Sequence, residues 1–332
     1  MGRLPVVDAH HHLWDPPRTR NPWLVERPAI PFRYGDYSRI ARPFLPSDYR
    51  EAARGQHVVA SITMEGEWDP ADPVAESAWM SGVAADTGMP DAHVARAFLD
   101  AADVEDVLEA HARYPLVRGV RQKPRANARP DDDAPGGMVD PDFRRGYAML
   151  GPLGLAFDLQ TPWWHLDEAL ELAEVAPDTL IVLNHAGLPA DRSAEGLAAW
   201  RAALTRFATL PSARVKVSGL GTAQQSWPRK ANRRIAREVV EMFGPDRTMV
   251  ASNFPVDALC ATFDEVMDTW RAAIADLAEE EQNQVLSRTA IATYRLEGEF
   301  ARAPNRIEAD PSTPLCAGPN APTCDQGVTQ RS

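Results

Sequence analysis

The stretch VVDAHHHLWD, residues 6–15, sets a short apolar run directly against three consecutive histidines and an aromatic. Val6 and Val7 open a β-strand pattern, and in a strand residues two apart share a face. Asp8, His10 and His12 are therefore expected on one side, with Val7, Ala9 and His11 on the other. Polar residues at the carboxyl end of a first strand are what an eight-fold barrel places at its mouth, where such barrels carry their sites. Two histidines at i and i+2 can converge on one ion. A hydrogen-bonded histidine pair at a barrel rim would have the same spacing, and the run alone leaves both readings open.

Outward from this stretch, apolar strand-like runs alternate with helical patterns along the chain. The runs fall at 4–10, 57–64, 93–99, 116–121, 154–160, 179–185, 213–218 and 247–252. Helical segments include 103–113, 165–175 and 229–243, and two more over about 261–278 and 279–295 close the set. In 103–113, Val104, Val107, Leu108 and His111 recur at helical spacing between acidic residues. Eight strand–helix repeats favour a (β/α)8 barrel, an α/β fold, over an open sheet. No glycine-rich fingerprint follows the first strand, which argues against a dinucleotide site.

Three segments break the metre. Residues 14–47 form a long insertion holding Trp14, Trp23, Phe32, Tyr34, Tyr37 and Phe44, expected to cover the mouth. Residues 123–140 form a polar loop after strand 4. Residues 302–332 are rich in proline and lack periodicity, and are expected to be a disordered tail beyond a single domain spanning 1–301.

The bulk numbers narrow the functional classes. Of 332 residues, 44% are hydrophobic and 25% charged, ordinary for a globular protein. The net charge of −12 argues against nonspecific nucleic-acid or anionic-membrane binding. No apolar run is long enough to span a membrane and no signal segment opens the chain, so a cytoplasmic location is expected. The three cysteines, Cys260, Cys316 and Cys324, do not make a disulfide framework for the fold. Self-assembly is compatible with the sequence but not legible in it.

Polar residues recur near the other strand ends. Ser61, Thr63 and Glu65 share a face by alternation, as do Asp158 with Gln160 and Lys216 with Ser218. His185 follows strand 6, and Asn253 lies in line with Met249 and Ala251. A barrel interior is normally apolar, so repeated polar residues there need a purpose or a partner. Arg121, ending strand 4, has two expected roles: a bidentate contact to a substrate carboxylate or oxyanion, or a salt bridge to Glu65 or Asp158. Lys216 has the same choice between a rim electrostatic role and a paired structural ammonium. Trp163 and Trp164 supply either an apolar wall to the mouth or packing beneath the next helix.

The ordered set DAHHHLWD, VRGVRQ, FDLQ, VLNHAG, VKVSGL and FGPDRTMVASNFPVD resembles the amidohydrolase-2 branch of the amidohydrolase superfamily. The resemblance runs over about residues 4–297, in the group of metal-dependent hydrolases that includes sugar-lactone and muconolactone-type enzymes. It implies a (β/α)8 barrel that hydrolyses small cyclic esters or amides, with some relatives acting as decarboxylases. It implies His10 and His12 as the strand-1 pair and His185 as the histidine after strand 6, all catalytic and all candidate ligands of one divalent metal, zinc first. Many relatives end strand 8 with aspartate in SDWP, whereas this chain has Asn253 in SNFP, an ending shared by one sub-branch. An amide cannot accept and return a proton at neutral pH, and it brings no charge to a cation. Three histidines alone can still hold zinc, and histidine-based catalysis without metal stays open.

These readings lead to hydrolysis of a small lactone or related cyclic ester or carbonyl substrate at the barrel mouth, on a ring bearing a carboxylate or carbonyl groups. The alternatives are a decarboxylase-type lyase on the same barrel and an inactive binding protein. His10, His12, His185 and Asn253 form the expected reaction centre, with Arg121, Lys216, Gln160, Trp14 and Asp257 around the substrate. Asp257 is further considered as a replacement acid–base group, although an aspartate in such a loop is more commonly a helix cap.

Overall fold

The structure is a computed structural model that describes residues 3–298; the expected tail at 302–332 lies outside the described residues. Eight parallel strands follow one another around a single sheet in sequence order. They are β1 (Val6–His11), β2 (Val58–Met64), β3 (Ala92–Arg96), β4 (Val117–Gln122), β5 (Ala156–Leu159), β6 (Ile181–Leu183), β7 (Ala213–Val217) and β8 (Thr248–Val250). The seam between the last strand and the first is closed just past β8. There the Asn253 amide donates to the His10 carbonyl at 2.8 Å, and the His12 amide to the Phe254 carbonyl at 2.7 Å. The fold is the (β/α)8 barrel.

Helices cover the outside: α1 (Pro22–Val25), α2 (Pro46–Ala53), α3 (Val74–Thr87), α4 (Val104–Ala112), α5 (Pro141–Ala148), α6 (Leu166–Val175), α7 (Ala194–Phe207), α8 (Arg229–Phe243), α9 (Phe263–Ala273), α10 (Glu279–Asn283) and α11 (Thr289–Tyr294). Their sequence logic is local. In α8, Asn232, Ile235, Ala236, Val239, Val240 and Phe243 form one buried stripe at helical spacing. A capping box of Thr262 and Glu265 starts α9. The expected single helix over 279–295 is interrupted by a π-turn at Gln284–Arg288 between α10 and α11.

The barrel interior is an apolar column of Val7, Ala9, Ala60, Ile62, Met64, Ala92, Val94, Ala156, Val182, Met249 and Ala251, with Ala290, Tyr294 and Leu296 packed against it. One ionic group interrupts it. The Lys216 ammonium lies 2.7 Å from Asp158 Oδ1, 3.3 Å from the Met64 sulfur and over the Tyr294 ring. The Tyr294 hydroxyl and the Asn184 amide also donate to Asp158.

The first strand departs from simple alternation. Val7 pairs with Ala60, Asp8 with Ser61 and His11 with Thr63, so Ala9 and His10 together stand opposite Ile62. This bulge resets the faces. Asp8 points outward, not into the mouth with the histidines, and accepts hydrogen bonds from the Tyr49 hydroxyl on α2 and the Ser252 hydroxyl and amide. Ser61 and Thr63 likewise face outward, where the Thr63 hydroxyl meets His93 Nδ1 at 3.1 Å. Only Glu65, past the end of β2, turns into the mouth.

Candidate active site

Beyond the bulge, His10 and His12 point inward and His11 outward, where its ring lies 4.2 Å from that of Tyr49. His185 joins them from the turn after β6, on a left-handed backbone (φ +54) that non-glycine residues adopt only under local constraint. Ring centres lie 4.6 Å apart for His10 and His185, and 5.2 Å apart for His10 and His12. The distant histidines named from the sequence form one cluster.

The three imidazoles are all buried, and burial holds each well below the ordinary histidine range. Secondary contributions come from His185 and Lys216 on His10, from Arg121 on His12, and from Arg33 on His185. All three are neutral at pH 7, the state a metal ligand or general base requires. His12 Nδ1 is 3.1 Å from the Met64 carbonyl, which makes that nitrogen the N–H and leaves Nε2 as the lone-pair atom. His185 Nδ1 is 2.9 Å from the Ser218 hydroxyl. Such outer contacts orient ligand imidazoles in metal sites. Both ring nitrogens of His10 are buried with no hydrogen-bond partner. An orphaned buried polar atom costs about 1–3 kcal/mol; the outward-facing His11 is equally unpartnered, so it is the place of His10 beside His12 and His185 that suits it to a partner shared by the three. Among the described residues no three His, Cys, Asp or Glu side chains already form a metal cage. The donor chemistry fits one divalent ion on three neutral imidazoles, and the rings would have to close around it.

Above the cluster is a cavity of about 300 Å³ whose lining includes His12, His185, Trp14, Arg121, Gln160 and Asn253. The Trp14 indole stacks beside His12, ring centres 5.7 Å apart and planes inclined by 28°, and donates to the Ile40 and Arg42 carbonyls. Those bonds, with the paired backbones of Trp14 and Phe44, fold the insertion back over the mouth. Trp23, Ile30, Pro31, Phe32 and Arg33 of that insertion complete the wall. Of the tryptophan pair, Trp164 borders a neighbouring cleft while Trp163 packs against the outer core.

Arg121 is paired: its guanidinium contacts Glu65 Oε1 through Nε at 2.7 Å and Nη2 at 2.6 Å, and reaches Gln160 Oε1 at 3.3 Å. Of its two expected roles, the salt bridge to Glu65 is formed. Lys216 does not line the cavity and occupies the structural position, since the interior of β7 puts its ammonium against Asp158 in the barrel core. Asp257 also stands outside the cavity lining. Fully buried, it accepts from the Asn253 side-chain amide at 2.8 Å, the Tyr34 hydroxyl at 2.9 Å and the Gly219 backbone at 3.2 Å. Burial pushes its carboxyl up to about 6. Because a carboxylate there requires a donor, the Asn253 amide nitrogen faces Asp257 and its oxygen is the end left for the cavity. Arg33 and Lys123, both at the mouth, escaped sequence reasoning because they sit on loops without periodicity.

The chain matches the amidohydrolase family model over residues 7–296. It is 33% identical over 299 residues to the uncharacterized protein y4mH of Sinorhizobium fredii, covering 89% of this chain and 100% of that one. It is 29% identical to an L-fucono-1,5-lactonase of Burkholderia multivorans, over 89% of this chain and 97% of the relative. A crystal structure of an amidohydrolase from Burkholderia multivorans with bound zinc superposes with a TM-score of 0.72 at 28% identity, over 89% of this chain and 100% of that one. A barrel with its histidines at the strand ends and a family match from the first strand to the last helix lead to one conclusion: this chain belongs to the amidohydrolase family and is a hydrolase.

Proposed function

We propose that the protein opens a small lactone by hydrolysis at the barrel mouth, with His10, His12 and His185 as the reaction centre. The observation that carries this is the trio of neutral, buried imidazoles beneath a cavity sized for a small molecule, with both nitrogens of His10 unpartnered. The lactonase named among the relatives and the zinc in the related crystal structure support the same chemistry.

These three histidines would hold one zinc ion, which supplies Lewis acidity and a water of lowered pKa. The chain's own residues orient and protect the reaction. The Met64 carbonyl and Ser218 hydroxyl keep the rings of His12 and His185 in place. Trp14 and the insertion exclude bulk water, and Gln160 presents its amide to the substrate's oxygens. Water adds to the lactone carbonyl carbon, the ring acyl–oxygen bond breaks, and the alkoxide takes up the proton. The product is a hydroxy acid. Asn253 offers an oxygen to a water or hydroxyl in the cavity but cannot relay the proton. Without metal, one of the neutral imidazoles takes that proton directly.

Metal analysis and a lactone panel on the purified protein test this. The expected result is near-stoichiometric zinc, lost together with lactone opening in His10→Ala. A zinc-replete protein that opens no lactone overturns the proposal. Carbon dioxide release with proton uptake from an aromatic acid would point to a decarboxylase instead.

A further inference from the structure

Beside the catalytic cavity lies a larger cleft of about 620 Å³, and Arg33 lines both. The cleft is walled by Pro162, Trp164, Leu188, Pro189 and Leu220, and its cations are Arg33 and Arg192. Among the described residues neither guanidinium makes a close ion pair with a carboxylate, although Arg33 lies near enough to Asp257 to oppose the rise that burial gives its carboxyl. Arg33 lies 4.7 Å over the ring of Tyr34. Arg192 makes one long bond of 3.4 Å to the Leu220 carbonyl, and its Nη1 is buried without a partner. The one carboxylate at the cleft, Asp191, accepts from the Ser193 amide at 2.9 Å at the start of α7.

Gly219 lines the cleft where Arg33 and His185 come together. Its backbone is left-handed (φ +63), and a β-carbon there would fall 2.5 Å from His185 Nδ1 and 2.6 Å from Arg33 Nη2. A glycine at this point lets the guanidinium stand next to the imidazole. Arg121 is paired with Glu65 and Lys123 with Glu67, so among the described residues the cavity-lining cation without a close ion pair is Arg33, which also faces the cleft.

We propose that this cleft is a substrate subsite, and that the enzyme's substrate is an elongated anionic lactone. Its ring lies over the histidines, and its apolar arm runs past Arg33 along Trp164, Leu188 and Leu220 to place a carboxylate on Arg192. A compact lactone would leave this second space empty and the Arg192 guanidinium without an anionic partner, whereas an arm ending in a carboxylate occupies the one and pairs with the other.

The lactone part rests on the function proposed above, but binding to the cleft does not, and the test separates them. Acetate, phenylacetate and 4-phenylbutyrate are titrated calorimetrically into the full-length protein, wild type and Arg192→Gln. Affinity is expected to rise about tenfold or more from acetate to 4-phenylbutyrate. Arg192→Gln should lose most of that gain for the acid, and none for 4-phenylbutan-1-ol, which lacks the charge. Ala190→Trp, a substitution on the cleft's exposed rim, should lower affinity for both long probes. In turnover, the kcat/KM ratio of a γ-lactone bearing an ω-carboxyalkyl arm to γ-butyrolactone should fall toward unity in Ala190→Trp. Equal affinity for short and long acids, or an Arg192→Gln protein that binds 4-phenylbutyrate like wild type, overturns the subsite. If no lactone turns over but the acids bind with this dependence, the subsite stands and the lactonase reading falls.

Discussion

Lys216→Met asks whether the lysine on β7 serves the reaction or the barrel. The ammonium is fully buried, 2.7 Å from Asp158 Oδ1, and Asp158 is itself fully buried. Removing one partner of such a pair leaves the other as an uncompensated buried charge, typically at a cost of about 3–5 kcal/mol. Tyr294 and Asn184 still donate to Asp158, which places the loss near the lower end of that range. At roughly 2 °C per kcal/mol for a chain of this size, the melting temperature should fall by about 6 °C. The double variant Lys216→Met, Asp158→Asn removes the stranded charge and should recover about half of the loss, a coupling within the usual range for contacting residues. Thermal denaturation followed by circular dichroism reads both. Assayed well below its melting temperature, Lys216→Met should retain kcat/KM within about tenfold of wild type, or about 1.4 kcal/mol. A protein with an unchanged melting temperature and activity reduced more than a hundredfold would place the ammonium in the reaction and refute the structural assignment.

Two further substitutions probe buried carboxyls through pH. Glu76 on α3 accepts from the Gly66 amide through Oε1 while its Oε2 is buried without a partner; burial, with Glu65 nearby, pushes its carboxyl up to about 8. The unfolded chain ionises this group above about 4.5, so the folded state loses stability as pH rises from there toward 8. Glu76→Gln keeps the Oε1 acceptor and has no charge to bury. Its stability advantage should therefore grow with pH by up to about 1.4 kcal/mol per unit, read from guanidinium midpoints at several pH values; a constant difference would show that the group does not titrate in this window. Asn253→Asp sets a second carboxyl at the 2.8 Å contact with Asp257, and two such groups cannot both ionise. With chelator present, the variant should be close to wild type at pH 5 and lose about 1–3 kcal/mol by pH 8, with added zinc reversing part of the loss; equal melting temperatures at both pH values would mean that the new carboxyl has rotated away from Asp257.

The order of strands and helices was legible because parallel barrel strands, buried on both faces, read as continuous apolar runs, while the covering helices carry a different period. The histidine cluster was legible because residues at strand ends converge on one mouth whatever lies between them. The face of Asp8 was not. Period-two reasoning puts it with His10 and His12, but the extra residue opposite Ile62 sends it outward to Tyr49 and Ser252. The available clue was energetic: Val7 and Ala9 pack with Ala60, Ile62 and Ala92 in an apolar interior, where an inward Asp8 would have had no donors. Pairings across the barrel were only partly legible: Glu65 and Asp158 were both open as partners of Arg121, and nothing in a linear pattern says that Glu65 takes that place while Asp158 meets Lys216.

The substitution at strand 8 changes meaning once Asn253 and Asp257 are treated together. Along the chain they are a missing acid and an unrelated aspartate in a loop. In the fold they are one hydrogen-bonded unit, since the Asp257 backbone amide also donates to the Asn253 carbonyl at 3.0 Å. The left-handed backbone of Asn253 (φ +55) sets its amide between the carboxyl and the cavity. A negative charge is thus kept near the mouth but withdrawn behind a neutral side chain, tied to Tyr34 of the covering insertion and to Gly219 beside His185. The same carboxyl therefore couples the lid, the strand-8 residue and the wall next to Arg33. An aspartate at 253 would face Asp257 across that contact, so an amide is the residue that lets Asp257 hold all three elements.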